Sequence, residues 1–394
     1  MSNFVNRNQY ETIANGPSPP PRSHGALKRL GVVTLSLCIA SLAFAFITHN
    51  SHVGEAPLDK FTVSSTALEE EGVCGAGYTK LVMKEVTTHT LSSLYLDLKG
   101  SKKHEASDVI VDPKSGSYLA ITDNLWSVLS VSETMAEMSA SNVLYGDPER
   151  VEGEDSGYEA LFLFDDKLYV VRESVKDAGG VYNAYIEELE LSQDDDSYEV
   201  RRICRTDFSF EGDSKGFEGA VALRGGDGEM YVLGLCEGNH CREGKKGKDR
   251  GNGKVVVMRK VLEKDVDGAE QCRYETISQL DIPSSANFQD YSAINLRGDR
   301  VMISSQEESA VWIGKLVNEA AVFDPQTSHL SGDRVLFFPR DSSCHHIYCN
   351  IEGVAWLDDE GHRIVAVSDK MKSKGKQNPR CLQKDQSIHI FALP

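Results

Sequence analysis

A chain of 394 residues with 40% apolar side chains and no long polar low-complexity tract holds one large domain or two medium ones and can bury a substantial core. Its formal charge of −18 is unevenly placed: residues 1–50 carry Arg7, Arg22, Lys28 and Arg29 against Glu11, which leaves 38 basic and 59 acidic side chains for the remainder. A field of that sign repels phosphate backbones and anionic lipid, so nucleic acid is excluded as an expected partner while cations and basic surfaces are favoured.

Residues 1–27, with Pro17, Pro19, Pro20 and Pro21, hold too little apolar surface to fold alone and read as a disordered cytosolic tail. Residues 28–49 read as a transmembrane signal-anchor helix, because Leu30 to Thr48 contains no charge and approaches the roughly 20 residues needed to cross a bilayer. Lys28 and Arg29 precede that stretch, while Glu55 and Asp59 follow it. The basic bias sets the N-terminus in the cytosol and the bulk of the chain outside the cell or in the secretory lumen. A cleaved signal peptide ending near Ala43-Phe44-Ala45 is the alternative; the some 27 residues ahead of the hydrophobic stretch are long for one. Residues 50–73, including Glu69-Glu70-Glu71, read as a stalk, and residues 74–394 as the ectodomain of a single-pass type II membrane protein.

Cysteine usage suits that topology. Cys38 falls in the apolar stretch, and eight cysteines follow: Cys74, Cys204, Cys236, Cys241, Cys272, Cys344, Cys349 and Cys381. An even set outside the cytosol suggests up to four disulfides. The close pairs Cys236 with Cys241 and Cys344 with Cys349 suit local staples, Cys74 with Cys381 would tie the domain's start to its end, and Cys204 with Cys272 remains. Spacing alone does not fix these pairings, and a zinc site is a minor rival that lacks any C-x-x-C pair. There is no Asn-x-Ser/Thr sequon, only the weak variant Asn239-His240-Cys241.

Along the ectodomain a unit recurs: a polar turn, an alternating apolar strand, a Gly/Asp turn, and a second strand rich in β-branched residues. Its copies are SDVIVDPKSGSYLAITDN from Ser107, EALFLFDDKLYVVRES from Glu159, GFEGAVALRGGDGEMYVLGL from Gly216, DYSAINLRGDRVMISSQEE from Asp290 and NIEGVAWLDDEGHRIVAVSDK from Asn350. Equivalent positions are Ser107, Glu159, Glu218, Ser292 and Glu352, separated by 52, 59, 74 and 60 residues. One four-stranded propeller blade with its loops fits that spacing, which predicts an all-β, five- or six-bladed β-propeller. Third strands follow as WSVLSV, KVVVMRKV and AVWIGKLV. The chain ends on SIHIFALP, a third strand without a fourth, and TKLVMKEVTT from Thr79 is placed to supply the missing one and close the ring. A β-sandwich, which also shows alternation, is the competing architecture.

The ordered turns EASD at Glu105, GYEA at Gly157, GFEGAVA at Gly216, DYSA at Asp290 and IEGVAW at Ile351 resemble those of the SdiA-regulated (YjiK-like) propeller family over about residues 78–394. The turn glycine is replaced by Asp108, Ala160 and Ala293 in three copies, and the basic loop and extra cysteines are additions. The resemblance implies a propeller, metal binding at the central channel and membrane association. It lends no enzymatic activity, and a more distant likeness to phytase-like and esterase-like propellers is analogy at the level of fold.

In a propeller, one position of every repeat forms a ring about the axis. Glu159, Glu218 and Glu352 then face one another, with Ser107 and Ser292 completing the ring as channel-lining residues. Converging carboxylates repel, and either protonation or a hard cation must relieve them; calcium accepts six to eight oxygens in flexible geometry. Alternatively each Glu accepts hydrogen bonds from the next blade's turn amides and acts as glue between blades. Second-strand ends supply Asp123 and Asp369 as further metal candidates and Glu173 and Gln306 as channel lining, with solvated strand ends as the plainer reading.

Other motifs carry less. Gly212 to Gly216 matches G-x-S-x-G, yet a strand rather than a helix follows. Adjacent His345 and His346 point different ways in extended chain and suit a surface loop. Asp265 to Gly268 lacks the later Glu of a calcium loop and reads as a turn. The basic run Arg242 to Lys254 reads as a mobile hairpin loop, with docking to an acidic partner as the sharper alternative. The function expected is a membrane-anchored module binding calcium in its channel and an unidentified ligand or protein at the mouth. The alternative is a calcium-dependent hydrolase of a phosphate ester or lactone, with Arg172 and Lys370 as candidate clamps and Glu218 or Glu352 as ligand or base. No catalytic residue is assigned.

Overall fold

The computed structural model describes residues 81–95, 104–150, 156–177, 179–212, 216–264, 270–319, 322–370 and 381–394. The expected tail, membrane helix and stalk lie outside these, as do Cys74 and the Asp265–Gly268 turn. Among the described residues no helix is long and apolar enough to cross a membrane.

The described strands fall into five antiparallel four-stranded units. The first strand, β1 (Lys84–Thr90), stands apart from its sequence neighbours. The first unit is β2 (Ala106–Val111), β3 (Tyr118–Thr122), β4 (Ser127–Val131) and β5 (Val143–Gly146). The second is β6 (Tyr158–Phe164), β7 (Lys167–Lys176), β8 (Tyr182–Ser192) and β9 (Ser197–Phe210). The third is β10 (Phe217–Arg224), β11 (Met230–Cys236), β12 (Lys254–Lys264) and β13 (Glu270–Asp281). The fourth is β14 (Ala293–Arg297), β15 (Arg300–Ser305), β16 (Ala310–Val317) and β17 (His329–Phe337). The fifth is β18 (Ile351–Trp356), β19 (Arg363–Ser368) and β20 (Ser387–Ala392), and its outermost place is taken by β1, which pairs with β20 from Lys84↔Ala392 to Thr90↔Ser387. The N-terminal strand thus closes the last blade, as the unpaired segment in the sequence predicts.

The innermost strands meet in a closed cycle: β2 packs on β6, β6 on β10, β10 on β14, β14 on β18, and β18 returns to β2. This is the ring of a β-propeller, with five blades among the described residues. Its cores lie between blades. In β19, Ile364 and Ala366 bury against the fourth blade while Val365 and Val367 bury against the first. Period-two alternation gives each strand one face per neighbour, so strands such as RIVAVS are apolar on both sides. Five clusters result, one per interface, including Tyr158 with Ile121 between blades 1 and 2, Phe217 with Ile186 between 2 and 3, and Trp312 with Leu235 between 3 and 4. Each large side chain buried this way contributes roughly 2 kcal/mol.

Outer edges ordinarily diverge in such a ring, yet blades 1 to 3 are joined there. Gly146 of β5 pairs with Ser197 of β9, Arg205 and Thr206 of β9 pair with Arg273 and Tyr274 of β13, and a Cys204–Cys272 disulfide links the same two strands. Cys236–Cys241 forms as the spacing suggests. The other two expected pairings do not hold: Cys349 bonds Cys381 rather than Cys344, with their Cα atoms 5.6 Å apart, and that excludes Cys74–Cys381. Cys344 is itself disulfide-bonded. The sequence separation of 32 between Cys349 and Cys381 spans the hairpin β18–β19 and brings the bond to the mouth of blade 5, whereas a partner five residues away was only nearer along the chain.

The basic run is not a mobile loop. The buried Asn239 amide donates to the carbonyls of Gly247, Phe288 and Gln289, and Arg250 donates to the Asn287 carbonyl and pairs with Glu308 at 2.6 Å. Gly238 and Gly247 pack so closely that a Cβ on either meets the Arg242 carbonyl oxygen. The side-chain amide of Asn239 is wholly buried, so the weak sequon variant offers no glycosylation site.

Candidate functional site: an acidic ring where the inner strands begin

Register shifts mark the start of four inner strands, between Ala106 and Asp108, Tyr158 and Ala160, Phe217 and Gly219, and Ile351 and Gly353. The extra residue is Ser107, Glu159, Glu218 or Glu352. A bulge residue leaves the strict alternation and can be aimed away from the interblade faces, so the recurring position of the sequence is a recurring bulge. In blade 4, Ser292 precedes β14 and its amide bonds the Ser304 carbonyl.

The three glutamates are brought together. Burial pushes the Glu159 carboxyl well above the usual carboxylate range, and the charges of Glu218, Glu173, Asp123 and Glu352 push it further. Glu352 is raised likewise by burial, then by Asp369, Glu218, Asp290 and Glu237. All three side chains stay partly open to solvent while protein surrounds them, as at the wall of a narrow channel.

Just beyond the second strands lie Asp123, Glu237, Gln306 and Asp369, and Glu173 takes the matching place within the longer β7. The amides of Asp123, Glu173 and Asp369 bond the carbonyls of Glu105, Gly157 and Asn350, each two residues before a ring position. This repeated bond fixes the second tier on the first. Glu237, after Cys236 at the end of β11, belongs to the tier and has no counterpart in the sequence expectations; aligning GLCEG with AITDN reveals it, but the neighbouring cysteine loop masks the match. Asp290 also joins the cluster: it is buried, accepts from Ser305 Oγ, and burial raises its pKa to about 7, with Glu308 and Glu307 adding repulsion.

One expected channel-lining residue serves otherwise. Ser292 Oγ lies 2.8 Å from the Ile351 carbonyl and 3.0 Å from Ser304 Oγ, so it links blades 4 and 5. A link between blades 1 and 2 comes from Asp108, the residue after the bulge in blade 1. It is buried, and its carboxylate accepts from Leu161 N of blade 2 at 3.1 Å and from Val109 N at 2.8 Å. The same position in blades 3 and 5 is glycine for a steric reason. A Cβ on Gly219 lies 2.5 Å from Ile294 N, and one on Gly353 lies 2.6 Å from the Asp108 Cα.

Beside Glu173 a cleft of about 400 Å³ is lined by Ser156, Gly157, Arg172, Ser174 and Tyr182. Arg172 is already engaged, donating to the Ser156 carbonyl at 3.1 Å and pairing at 3.2 Å with the buried Glu187. Lys370 pairs with Glu105 at 3.4 Å. Both proposed phosphate clamps therefore carry partners. His345 pairs with Asp341 at 3.2 Å, while His346 is depressed to about 4 by burial, Arg340 and His345, and the two do not converge on one ion. Among the described residues no group of three or more His, Cys, Asp or Glu side chains is arranged to hold a metal ion by itself. Of G-x-S-x-G, only Gly212 and Gly216 are described, and β10 follows directly.

No protein-family model matches the chain, and no curated protein matches its sequence. Among solved structures it is similar to the glutaminyl cyclase of Myxococcus xanthus (TM-score 0.40, 11% identity, covering 80% of this chain and 98% of that one). The soluble aldose sugar dehydrogenase of Escherichia coli (TM-score 0.38, 9% identity, 78% and 98%) is also similar. So is the Cps50 (Swd1) β-propeller domain of Myceliophteria thermophila (TM-score 0.34, 9% identity, 79% and 100%). At these values the likeness says nothing of chemistry, and the propeller assignment rests on the strand order above.

Proposed function

We propose that this propeller is a cation-dependent binding module, with calcium held among Glu159, Glu218 and Glu352 and a ligand or protein partner taken up at the same mouth. The observation that carries the reading is the convergence of these carboxylates across three blades, where burial and then mutual repulsion raise Glu159 and Glu352. A hard divalent cation relieves that repulsion without protonation. Since no three acids form a closed ligand set, carboxylate oxygens supplemented by water are the donors, which calcium's flexible coordination accepts. The resemblance of the five turns to the SdiA-regulated propellers supports the reading, and so does the acidity of the chain beyond residue 50. We propose also that residues 28–49 anchor the chain with its N-terminus in the cytosol, supported by the charge-free stretch after Lys28 and Arg29. Resistance of the chain to carbonate extraction, with its ectodomain shielded from added protease in sealed vesicles, checks that topology.

The cation reading is tested by thermal unfolding at neutral pH with and without millimolar calcium. Ligand at about 100 times its dissociation constant stabilises by about 2.7 kcal/mol, a shift of roughly 5 °C at the lower sensitivity of a large domain. Glu218→Gln should abolish most of the shift. An equal shift in wild type and variant removes the ring from consideration. Turnover of an ester or phosphate panel that rises with calcium and fails in Glu218→Gln would instead favour the hydrolase.

A further inference from the structure

The segment from Arg242 to Lys254 caps blade 3 on the mouth face, a few residues after Glu237 of the second tier. Besides the bonds of Asn239 and Arg250, the Cys236–Cys241 disulfide closes one side of it. Across its base the His240 amide donates to the Asn252 carbonyl, and the Asn252 amide donates to Asn239 Oδ1, each at 2.8 Å. The cations of this ordered segment divide into two sets. Arg242, Arg250, Lys254 and His240 each face a carboxylate, those of Glu211, Glu308, Asp281 and Asp249. Lys245, Lys246 and Lys248, on and just past the single helical turn Gly244–Gly247, are exposed and make no ion pair among the described residues. Lys246 adds only a minor part to the lowering of the Glu211 carboxyl, which the Glu243 amide and Arg242 chiefly cause. On so acidic a surface a lysine commonly finds an acid, as Lys114, Lys167, Lys315 and Lys384 do in Asp166, Glu188, Asp299 and Glu85.

We propose that this basic ledge docks an acidic peptide segment of a protein partner at the rim of the mouth. The proposal takes from the preceding reading only that a partner meets this face, and it needs no cation in the channel. Three ammonium groups within four residues, carried on a backbone that is already ordered, attract carboxylates without the loss of chain freedom that a loose loop suffers on binding. Lys245 and Lys248 stand one turn apart on one side of the helical turn, about 5–6 Å between Cβ atoms. Carboxylates two residues apart on an extended peptide, about 6.6 Å, can meet both. The size of the ledge selects a short segment. Glu211, Glu243, Asp249 and Glu308 surround it, and the chain beyond residue 50 carries 59 acids against 38 bases. A nucleic-acid rod or an anionic bilayer reaches past the ledge and meets like charge within a Debye length of about 8 Å, whereas a few acidic residues end before they reach it.

Fluorescence anisotropy of labelled hexaglutamate with the full chain, at low salt and in chelator, tests this. Saturable binding at one equivalent per chain is expected, weakening as salt is raised. Changing Lys245→Gln and Lys248→Gln together should weaken it about tenfold, whereas Lys245→Arg with Lys248→Arg keeps both charges and should stay within about twofold of wild type. Both side chains are exposed and bond to nothing that holds the fold, so the unfolding midpoint should not move. Binding that does not saturate, or that the double Gln variant retains in full, overturns the ledge as a docking surface. Phosphatidylserine vesicles or a short DNA duplex held more tightly than hexaglutamate overturn the choice of partner. Glu218→Gln, which decides the cation reading by thermal shift, should leave hexaglutamate affinity within about twofold, so either reading can fail without the other; a tenfold loss there would place the peptide on the ring instead of the ledge.

Discussion

The two ends of the inner strands differ because the backbone differs. At the acidic end each strand, except in blade 4, opens on a bulge that frees one side chain from packing, and three of the four bulge residues are glutamates. A few residues further on, alternation is strict and the side chains return to the interblade faces. Phe162 there joins the core between blades 2 and 3, and Trp356 that between blades 4 and 5. One irregular residue per blade is thus enough to make a polar ring, while the regular remainder of the same strand turns its side chains to the interblade faces. Function in such a ring concentrates where the ladder is broken.

The sharpest way to break that comparison is at the position after the bulge, where the inner strands come closest. Gly353→Val puts branched carbon against the backbone of Asp108, and a loss of about 3 kcal/mol is expected from a contact that neither strand can escape without opening the ring. Urea unfolding measures it. The same change at Ala160, where a methyl is already housed, should cost less, and parity between the two sites would show that the inner strands are free to spread. Asp108→Ala comes next. It strands the Leu161 amide in an apolar interface, for an expected loss of about 2 kcal/mol, and Asp108→Asn, which keeps an acceptor, should recover about half. Should both variants lose stability equally, the carboxylate's charge rather than its acceptor joins blades 1 and 2.

How much of this was legible in the sequence follows from the range of each interaction. The five turns and the convergence of Glu159, Glu218 and Glu352 were readable because a bulge is a local event that repeats with the unit. The closing strand was readable because a hairpin unit with an odd strand needs a partner. Cys236–Cys241 matched the spacing and Cys204–Cys272 was only the pair left over, but Cys349–Cys381 depends on how one blade's hairpin folds back over its mouth, which spacing does not encode. Asp108 looked like a departure from the turn pattern, and only the approach of blade 2 shows its carboxylate bridging to Leu161. The order of the Arg242–Lys254 run was hidden for a similar reason: its charges suggest solvent, while the interactions that hold it come from Asn239 and from backbone some 40 residues downstream.

The smallest effect expected is the pH dependence of the acidic ring, and its sign distinguishes an ion-free from an ion-loaded mouth. Glu159, Glu352 and Asp290 are all held above their ordinary values, chiefly by burial, with Asp290 raised to about 7. The folded state therefore binds more protons than the unfolded chain between the ordinary carboxylate range near 4 and the raised values. Their contribution is fully present below about pH 4 and is lost as pH rises through each raised value, about 7 for Asp290, so the ion-free protein should weaken as pH rises. Glu159→Gln and Glu352→Gln should flatten the slope, because an amide keeps the shape and sheds the charge. Saturating calcium should flatten or reverse it, since ion binding requires the ionised carboxylates that the empty ring disfavours. Urea titrations at pH 4.5, 6 and 7.5, with chelator and with calcium, measure both slopes. A wild-type slope that is unchanged by calcium and by either Gln variant would mean that the three glutamates tolerate one another's charge through water alone, and the mouth would then have no cation to contrast with the packed remainder of the same strands.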